Sequence, residues 1–371
     1  MSNPKKDIVP MKQSSCGKKQ KPQMKGLQGM SVQELKIKIK LLYPYLTNVN
    51  TMKRQELCDL LSKDCPRLGG LVNKTNSCYL DSVLIGLFHT INPYIKKLLF
   101  DKKLNYDDNE LQENAIKIQK MLRGVYSAIS KGNKGACSLL RQSMQKFDKR
   151  YSRIVAGVEH LDWKTSQLEP GDVIKMLIRV FDIPDDCEYI LKNYTLINKK
   201  KVLVNEEKYK ATFADPNITP DMLYEKKHLD LRKFIPEEVS KVEFDDMNKW
   251  KPHPGVEYKH KITHKTYTKA PMLSVHISRV FGDIKLKTPI IPPLTIKLKE
   301  NKQPLHLRSI LVHHGDSPEY GHYICYIRCQ KYWYKYDDLG FEKLEFIGTN
   351  MKLFKMNNFY VLKNAVDLIY W

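Results

Sequence analysis

Apolar residues recur at helical spacing through the first half of the chain. The clearest case is the stretch 108–130, with apolar side chains at Leu111, Ala115, Ile118, Leu122 and Val125. Positions three or four apart lie on one face of a helix, so this pattern predicts an amphipathic helix. Similar patterns predict three further helices, over residues 78–89, 136–151 and 171–181. We therefore expect residues 70–185 to be mostly helical.

From residue 271 the pattern changes to an alternation of apolar and polar residues. Leu273, Val275 and Ile277 alternate with polar neighbours, which is typical of a strand. Further strands are predicted over 305–312, 322–328, 332–336 and 359–362. The Lys-rich region 190–270 shows only short strand-like runs, such as 202–204. A helical half followed by an antiparallel half predicts an α+β fold with a cleft between the two.

The N-terminal region has a different composition. Residues 1–29 are rich in Lys, Gln, Ser and Pro, which predicts a disordered basic arm. Ser31, with Glu34 three residues later, predicts the start of one helix, and a second helix is predicted over 52–62. The two helices and their Leu-containing link, residues 30–66, resemble a SAP-like module, a family often attached to DNA-binding proteins. The alternative is a plain helical hairpin docked on the next domain.

The chain is strongly basic. Its 371 residues include 63 Lys and Arg against 41 Asp and Glu, a formal net charge of +22. This balance favours acidic partners, so we predict weak, sequence-independent binding of DNA or another polyanion through residues 1–65. The alternative is a solvated tail that only aids solubility. No apolar run is long enough for a membrane span and no signal-peptide core is present, so we expect an intracellular protein without membrane contact.

Eight cysteines are scattered along the sequence, and none forms a C-x-x-C pair. Cys325 and Cys329 lack a matching second pair, so we expect neither structural zinc nor another cofactor. Without secretion, most of the thiols are expected to be reduced. A cysteine is by default a small buried apolar side chain, so a reactive one needs specific grounds.

Cys78 has such grounds. Polar residues 73–77 lead into it, and an apolar helical pattern begins directly after it. The thiol is thus predicted at a helix N-terminus, where the helix dipole and free N–H groups favour the thiolate, the attacking form of a nucleophilic cysteine. The alternative is a helix N-terminal segment that happens to contain a cysteine.

A histidine far downstream is the matching candidate base. His322 follows Gly321, which allows close backbone approach, and it opens an aromatic strand. Asp337 comes at a separation that places two residues side by side on adjacent strands joined by a turn. His322 could then take the cysteine proton while Asp337 fixes the orientation of the ring. Three other histidines lie on or beside predicted strands and are less favoured: His276, His313 and His314.

Four segments resemble motifs of the ubiquitin-specific proteases. Residues 70–82, G-L-V-N-K-T-N-S-C-Y-L-D-S, resemble their cysteine box, usually G-L-x-N-x-G-N-T-C-Y-x-N-S. Residues 321–323 with 333–338 are similar to their histidine box, G-H-Y followed by W-x-x-F-D-D. Residues 271–281 resemble the strand motif P-x-x-L-x-x-H-L-x-R-F, and 167–172 resemble Q-x-D-x-x-E-F-L at the start of a thumb helix.

The resemblance implies a papain-like cysteine peptidase with a helical thumb, an antiparallel β palm and short fingers, preceded by the small helical module. The implied boundaries are 69–364 for the catalytic domain, about 70–185 for the thumb, about 186–364 for fingers and palm, and 365–371 for a C-terminal tail. Such an enzyme cleaves the bond after the C-terminal Gly-Gly of ubiquitin. A compact peptidase with a SAP-like module in a Lys-, Asn- and Tyr-rich chain also suggests a viral protein.

The resemblance also implies roles for individual residues. Cys78 is implied as the nucleophile, His322 as base and then acid, and Asp337 as the residue that orients the ring. Asn73 matches the position that donates a hydrogen bond to the oxyanion, and Asp338 is a second helper. Three residues are implied on the substrate side: Glu169, which would meet the arginines of the ubiquitin tail, Gly321 and Tyr323.

Several residues depart from the family pattern. Thr75 replaces the Gly of the cysteine box, so a positive φ is costlier there. Asp81 replaces Asn, and its charge would oppose thiolate formation at Cys78 if the side chains were close. The finger region lacks paired C-x-x-C motifs, so we expect metal-free fingers held by packing. Two alternatives stay open: a peptidase for another ubiquitin-like modifier, or a scaffold that binds ubiquitin without cutting it.

Overall fold

The structure is a computed structural model that describes the chain from residue 29 to its C-terminus with gaps. The described ranges are 29–42, 46–62, 70–73, 76–89, 93–131, 133, 135–181, 187–211, 216–224, 226–233, 235, 237–244, 249–317, 320–339 and 343–371. Thr75 and the predicted basic arm, apart from residue 29, lie outside the described residues.

Helices dominate the N-terminal half of the described chain. They are α1 (Val32–Leu42), α2 (Arg54–Ser62), α3 (Cys78–Phe88), α4 (Pro93–Lys96), α5 (Asn109–Ser130), α6 (Ser138–Ile154), α7 (Pro170–Phe181), α8 (Pro220–Leu223), α9 (Asn350–Lys355) and α10 (Tyr360–Asn364). A π-helical turn at Lys97–Asp101 follows α4, and 3-10 turns occupy Val49–Thr51 and Leu231–Lys233. None of the described helices combines the length and the apolar character needed to cross a membrane.

Strands dominate the second half. The first ten are β1 (Leu46–Thr47), β2 (Leu71–Val72), β3 (Gly135–Ala136), β4 (Cys187–Ile197), β5 (Lys200–Ala211), β6 (Asn217–Ile218), β7 (Leu229–Asp230), β8 (Glu237–Glu243), β9 (Trp250–His253) and β10 (Val256–Tyr258). The others are β11 (His260–Lys269), β12 (Leu273–Ile277), β13 (Val280–Phe281), β14 (Ile284–Lys285), β15 (Ile290–Ile291), β16 (Thr295–Ile296), β17 (Leu305–His314), β18 (His322–Cys329), β19 (Tyr332–Asp337), β20 (Lys343–Thr349) and β21 (Ala365–Tyr370).

Side-chain caps explain where two of the predicted helices begin. The Ser31 hydroxyl accepts from the N–H of Glu34, whose carboxylate accepts from the N–H of Ser31, and this capping box starts α1. The Asp108 carboxylate accepts from the N–H of Leu111 at 2.9 Å and starts α5. The four helices predicted between residues 70 and 185 are confirmed as α3, α5, α6 and α7.

The central helix of the molecule is α3. All of its residues are buried, because it is apolar on every side and lies between the sheet and other helices. It contacts β17 and β18 on one side and α5 and α7 on the other. A side chain at Gly86 would be tight, since a Cβ would lie 3.3 Å from the Cβ of Ser309. The Ser309 hydroxyl donates to the Gly86 carbonyl at 2.8 Å, which fixes α3 against the sheet.

The palm is one large sheet with the strand order β1-β20-β19-β18-β17-β21-β12-β6, and β16 pairs with β17. The pairs from β20 to β12 are antiparallel, whereas β1 and β6 join in parallel. Successive side chains of β18 point to opposite faces, so Cys325 and Ile327 join the core under α3 while Ile324 and Tyr326 join a second core. The sheet therefore separates two apolar cores.

Two segments near the C-terminus differ from the prediction. Residues 359–362, predicted as a strand, lie mostly in the short helix α10, which follows a turn with a positive φ at Asn358 and Phe359. A short apolar run fits a buried helical turn as well as a strand, so the sequence pattern does not distinguish the two structures. The strand comes later, as β21, in the stretch 365–371 predicted as a tail. It lies between β17 and β12 because Leu368 and Ile369 are buried there.

The fingers are a four-stranded antiparallel sheet with the order β5-β4-β11-β8. The short run 202–204 is part of a strand of 12 residues, β5. Frequent Lys and Glu residues hide such strands from a hydrophobicity pattern, because neither face is strongly apolar. The Tyr189 and Tyr209 rings stack at 5.3 Å, and Lys265 lies 5.0 Å from the Tyr189 ring. Cross-strand contacts of this kind stabilise a half-exposed sheet.

The N-terminal module is docked on the edge of the palm. Strand β1 pairs in parallel with β20, with Leu46 beside Leu344. On α2, Asp59 accepts a hydrogen bond from the Tyr332 hydroxyl at 2.8 Å and forms an ion pair with Lys331 at 2.9 Å. These contacts agree with the alternative of a helical unit docked on the next domain, and the SAP-like identity stays a prediction.

The state of the described cysteines is mixed. Four are free thiols and are buried: Cys78, Cys137, Cys187 and Cys325. Cys58 and Cys329 are disulfide-bonded, so for these two the expectation of reduced thiols is wrong. Pairing depends on which sulfurs the fold brings together, and the spacing of cysteines in the sequence does not give that information.

Candidate active site

Cys78 is the first residue of α3. The turn before it contains Asn76 with a φ of 58°, a left-handed conformation that Asn tolerates better than most residues. The Ser77 carbonyl accepts from the N–H groups of Leu80 and Asp81, which starts the helix. The N–H groups of Cys78 and Tyr79, at the start of this turn, have no acceptor within the helix, so the positive end of the helix dipole lies at Cys78.

His322 opens β18, and Asp337 ends the neighbouring strand β19. The two strands pair antiparallel with Cys325 beside Tyr336, so these two strand ends lie together. Nε2 of His322 lies 2.9 Å from Oδ1 of Asp337. The Cys78 thiol is a second hydrogen-bond partner of the ring, and Nδ1 is the nitrogen left for it. The fold therefore brings the predicted sulfur, imidazole and carboxylate into contact.

The surroundings of His322 favour a charged ring. Burial acts to lower its pKa, but hydrogen bonds with Asp337 and Cys78, together with the charge of Asp338, raise the pKa of His322 to about 9. Burial acts to raise the pKa of Asp337, but hydrogen bonds from His322 and Lys335 hold it below its usual range. At neutral pH the pair is therefore imidazolium and carboxylate.

Asp338 lies deeper than Asp337. Its side chain is 1% exposed, and its Oδ1 is 3.3 Å from Nε2 of His322. Burial raises the pKa of Asp338 against the attraction of the His322 charge. Among the described residues, His322, Asp337 and Asp338 are also the one group of three side chains close enough together to hold a metal ion. Because the same atoms form the hydrogen bonds of the triad, we assign no separate metal centre.

Asn73 lies between the cysteine turn and Asp338. Its Oδ1 accepts a hydrogen bond from the backbone N–H of Ser77 at 3.3 Å and lies equally far from the Ser77 hydroxyl, whose single proton is directed to Asp81. Its side chain also approaches Asp338 and stabilises the ionised form of that carboxyl. Since Oδ1 is directed to Ser77, the N–H bonds of the Asn73 amide are the ones left for Asp338 and the cleft.

Gly321 allows very close packing next to His322. A Cβ there would lie 2.3 Å from Nε2 of His313 and 2.5 Å from the carbonyl oxygen of His314, so only glycine fits. The Gly321 carbonyl accepts a hydrogen bond from the Gln167 side chain at 2.9 Å, which joins the segment before α7 to the segment before β18. Tyr323 is buried, and its ring lies 4.8 Å from that of His313.

A cleft starts at Tyr323, next to the triad, and is lined on the thumb side by Glu169. The Glu169 side chain is half-exposed, with Oε2 3.7 Å from Nε2 of His276. Nδ1 of His276 lies 3.3 Å from the buried carboxylate of Asp367. Partial burial raises the pKa of Glu169, although the His276 charge opposes this. The predicted residues Glu169 and Tyr323 thus share one cleft, and Gly321 lies against His313, which also lines it.

A thiol at the start of a buried helix, facing an imidazole that a carboxylate orients, defines a cysteine hydrolase of papain-like α+β type. A family model described as ubiquitin carboxyl-terminal hydrolase matches residues 69–363. The chain therefore belongs to the ubiquitin carboxyl-terminal hydrolase family, and it is a thiol-dependent ubiquitin hydrolase.

The fold is also similar to that of solved structures. One is described as the SAGA DUB module, a Cys-to-Ala variant of Ubp8 with Sgf11, Sus1 and Sgf73, bound to monoubiquitin. The similarity has a TM-score of 0.50 and 18% sequence identity, over 82% of this chain and 68% of that chain. At this identity the likeness concerns the fold alone. No curated protein sequence matches the chain.

Two features of the site were not predicted. Asp81 was considered only as a charge near Cys78, whereas its carboxyl is buried against Asp338. Gln167 belongs to a motif that implies no role for it, and it bonds to the backbone beside His322. No local pattern indicates such a contact, because it joins residues 154 positions apart.

Proposed function

We propose that the protein hydrolyses the peptide or isopeptide bond after the C-terminal Gly-Gly of ubiquitin through a triad of Cys78, His322 and Asp337. The observation that carries the proposal is the His322 ring, which has Asp337 at one nitrogen and the Cys78 thiol as its other partner. Family membership and a structural relative described as bound to monoubiquitin support ubiquitin as the modifier.

In the first step the Cys78 sulfur attacks the carbonyl carbon of the terminal Gly. The thiol proton has passed to His322, whose raised pKa suits it to hold that proton. The carbonyl oxygen becomes an oxyanion that accepts from first-turn N–H groups of α3 and from one N–H of Asn73. Because Ser77 occupies Oδ1 of Asn73, the amide can direct its other N–H to Asp338. Losing an oxyanion donor typically costs about 3 kcal/mol of transition-state stabilisation.

In the second step His322 gives its proton to the leaving amine, and the C–N bond breaks. A thioester then joins Cys78 to the terminal Gly of ubiquitin. Water loses a proton to His322 and attacks the thioester carbonyl, which releases the ubiquitin carboxylate and restores the thiol. Asp337 keeps the ring in one orientation throughout both steps.

Glu169, Gly321 and Tyr323 are proposed to receive the ubiquitin tail. The half-exposed carboxyl of Glu169 lies in the same cleft as Tyr323 and can meet an arginine of the tail by charge-assisted hydrogen bonds. The missing side chain at Gly321 leaves room for His313 beside the triad. An extended tail that follows the cleft would reach the sulfur from this side.

Turnover of ubiquitin carrying a C-terminal amide-linked reporter tests the proposal. The parent should hydrolyse it, Cys78→Ala should not, and Asn73→Ala should be slower by about a hundredfold to a thousandfold. Reporters on other ubiquitin-like modifiers test the first alternative, and faster turnover of one of these would replace ubiquitin as the substrate. Tight ubiquitin binding by the parent without any turnover would indicate the scaffold.

A further inference from the structure

Two acidic side chains lie in contact behind the triad. Asp81, one turn into α3, has a completely buried side chain, and its Oδ2 is 2.6 Å from the Ser77 hydroxyl. The Asp81 carboxyl is a hydrogen-bonding neighbour of the Asp338 carboxyl, whose side chain is 1% exposed. The two residues come from opposite sides of the cleft, so this contact joins the cysteine helix to the strand end that carries the triad acid.

The hydrogen bonding of this pair is incomplete if both groups are ionised. Within the described part of the chain, Oδ1 of Asp81 and both oxygens of Asp338 are buried without a well-aligned donor. The Asn73 side chain approaches Asp338, and the His322 ring lies 3.3 Å from it but already bonds to Asp337. Carboxylates can only accept, so two of them in contact repel each other and cannot bond. One proton shared by the two carboxyls removes the repulsion and supplies the missing hydrogen bond.

The other titratable groups that face the pair do not supply a cation. Cys137, just before α6, is buried against Asp81, and burial together with that carboxyl raises the pKa of Cys137. Tyr79 lies on the same helix, and burial raises its pKa to about 12. Arg141 acts on both Cys137 and Tyr79, but its guanidinium donates to two backbone carbonyls. For both Asp81 and Asp338, burial is the largest effect on the carboxyl, and it raises the pKa.

We propose that Asp81 is protonated at neutral pH and donates a hydrogen bond to Asp338, so that the buried pair carries a single negative charge. Asp81 is then a positioning residue, because it fixes the carboxylate that faces Asn73 and His322. A neutral Asp81 also spares the Cys78 thiolate the repulsion that the sequence suggested. The catalytic consequence rests on the proposed function, whereas the proton itself can be detected without any substrate.

Infrared difference spectroscopy of the intact protein detects the proton directly. The parent at neutral pH should show the C=O stretching band of a protonated carboxylic acid that is lost in both Asp81→Asn and Asp338→Asn. Asp367→Asn is the matched control, because it removes an equally buried carboxyl outside the pair, and it should keep this band. Absence of the band in the parent, or its survival in either pair variant, would overturn the proposal.

The pH dependence of unfolding separates a titrating Asp81 from a merely structural one. Because folding raises the pKa of Asp81, its protonated form stabilises the native state at acidic pH, and this contribution is lost as the pH rises through the folded value. Between the pKa of Asp81 in the unfolded chain and its raised pKa in the folded protein, the unfolding equilibrium constant of the parent should therefore increase by about tenfold per pH unit relative to that of Asp81→Asn. A constant offset between the two proteins would contradict the proposal.

The pH dependence of ubiquitin hydrolysis tests the catalytic consequence of the shared proton separately. The alkaline decline of ubiquitin hydrolysis should lie at higher pH in Asp81→Asn than in the parent, since an amide cannot ionise. If the parent shows no ubiquitin hydrolysis, the proposed function fails while the infrared and unfolding results still decide the state of Asp81. If Asp81→Asn does not fold, Asp338→Asn removes the same shared proton and takes its place in the unfolding series.

Discussion

Two of the described histidines that have a carboxylate partner, His322 and His264, differ in their surroundings. In the palm, His322 contacts Asp337, and in the finger sheet His264 of β11 contacts Glu237 of β8. The palm pair is the more buried, with side-chain exposures of 10% and 23% against 18% and 45% in the fingers. In both regions one ring nitrogen contacts a carboxylate, Nε2 in His322 and Nδ1 in His264.

The third partner of each ring separates the two sites. The ring of His322 has the Cys78 thiol as its further partner and can exchange a proton with it. The free nitrogen of His264 faces the ammonium of Lys201, and the Tyr194 ring covers the histidine at 5.1 Å. A His–carboxylate pair is therefore not a catalytic site by itself, because function depends on what the other nitrogen meets and on burial.

Matched substitutions of the two histidines test this comparison with the largest expected effect. His322→Ala should lower kcat/KM for ubiquitin hydrolysis by about a thousandfold or more, because the general base and acid is lost. His264→Ala should remain near the parental rate, since no reacting group lies beside that ring. Steady-state hydrolysis of the ubiquitin reporter measures both. A comparable loss in His264→Ala would remove the distinction between the two pairs.

The contrast also shows what the sequence could predict. Cys78 at a helix start and His322 with Asp337 at hairpin distance are local patterns, and local patterns fix their own geometry. The contact of Asp81 with Asp338 and the docking of β1 on the palm depend on tertiary packing. Neither has a signal in the spacing of nearby residues. In the finger region the sequence predicts only short strand-like runs, because frequent charged residues mask the apolar positions of the longer strands.

A smaller loss is expected when the packing beside His322 is disturbed. Gly321→Ala would place a Cβ 2.3 Å from the His313 ring, so the backbone must shift. We expect a destabilisation of about 1–3 kcal/mol and, because a displaced base is misaligned, a loss of up to about a hundredfold in kcat/KM. Chemical denaturation and reporter hydrolysis measure the two effects.

Gly124→Ala is the control for this experiment. Apart from its own helix and chain neighbours, none of the described residues has an atom within 4 Å of a Cβ at that position in α5, so the variant should be equal in activity and up to about 1 kcal/mol more stable. If Gly321→Ala matched Gly124→Ala in kcat/KM and in stability, the close packing beside the triad would not contribute to catalysis.

The raised pKa of His322 predicts that the stability of the protein depends on pH. Because folding raises this pKa from 6.5 to about 9, the charged ring stabilises the native state below about pH 6.5. That contribution is lost as the pH rises through about 9. After allowance for solvent screening we expect a loss on the order of 1–2 kcal/mol, measured as the unfolding free energy of the parent minus that of His322→Gln. A difference that stays constant with pH would show that the ring is not charged by the fold.

The smallest effect on catalysis is expected from the basic arm. Removal of residues 1–28 should weaken retention on DNA at low salt, where affinity is on the order of 10⁻⁵ M, and should leave ubiquitin hydrolysis unchanged. Removal up to residue 65 is a poorer design, because it takes β1 and Asp59 away from the palm. Equal retention of the parent and the shortened chain across a salt series would refute binding through the arm.

The most direct test of the central claim is covalent capture by ubiquitin with a C-terminal electrophile, followed by mapping of the modified residue. The account predicts one adduct per chain, joined to the sulfur of Cys78, and none in Cys78→Ala, while Cys137 and Cys325 stay unmodified. An intact parent protein that forms no adduct, or an adduct that persists in Cys78→Ala, would contradict it.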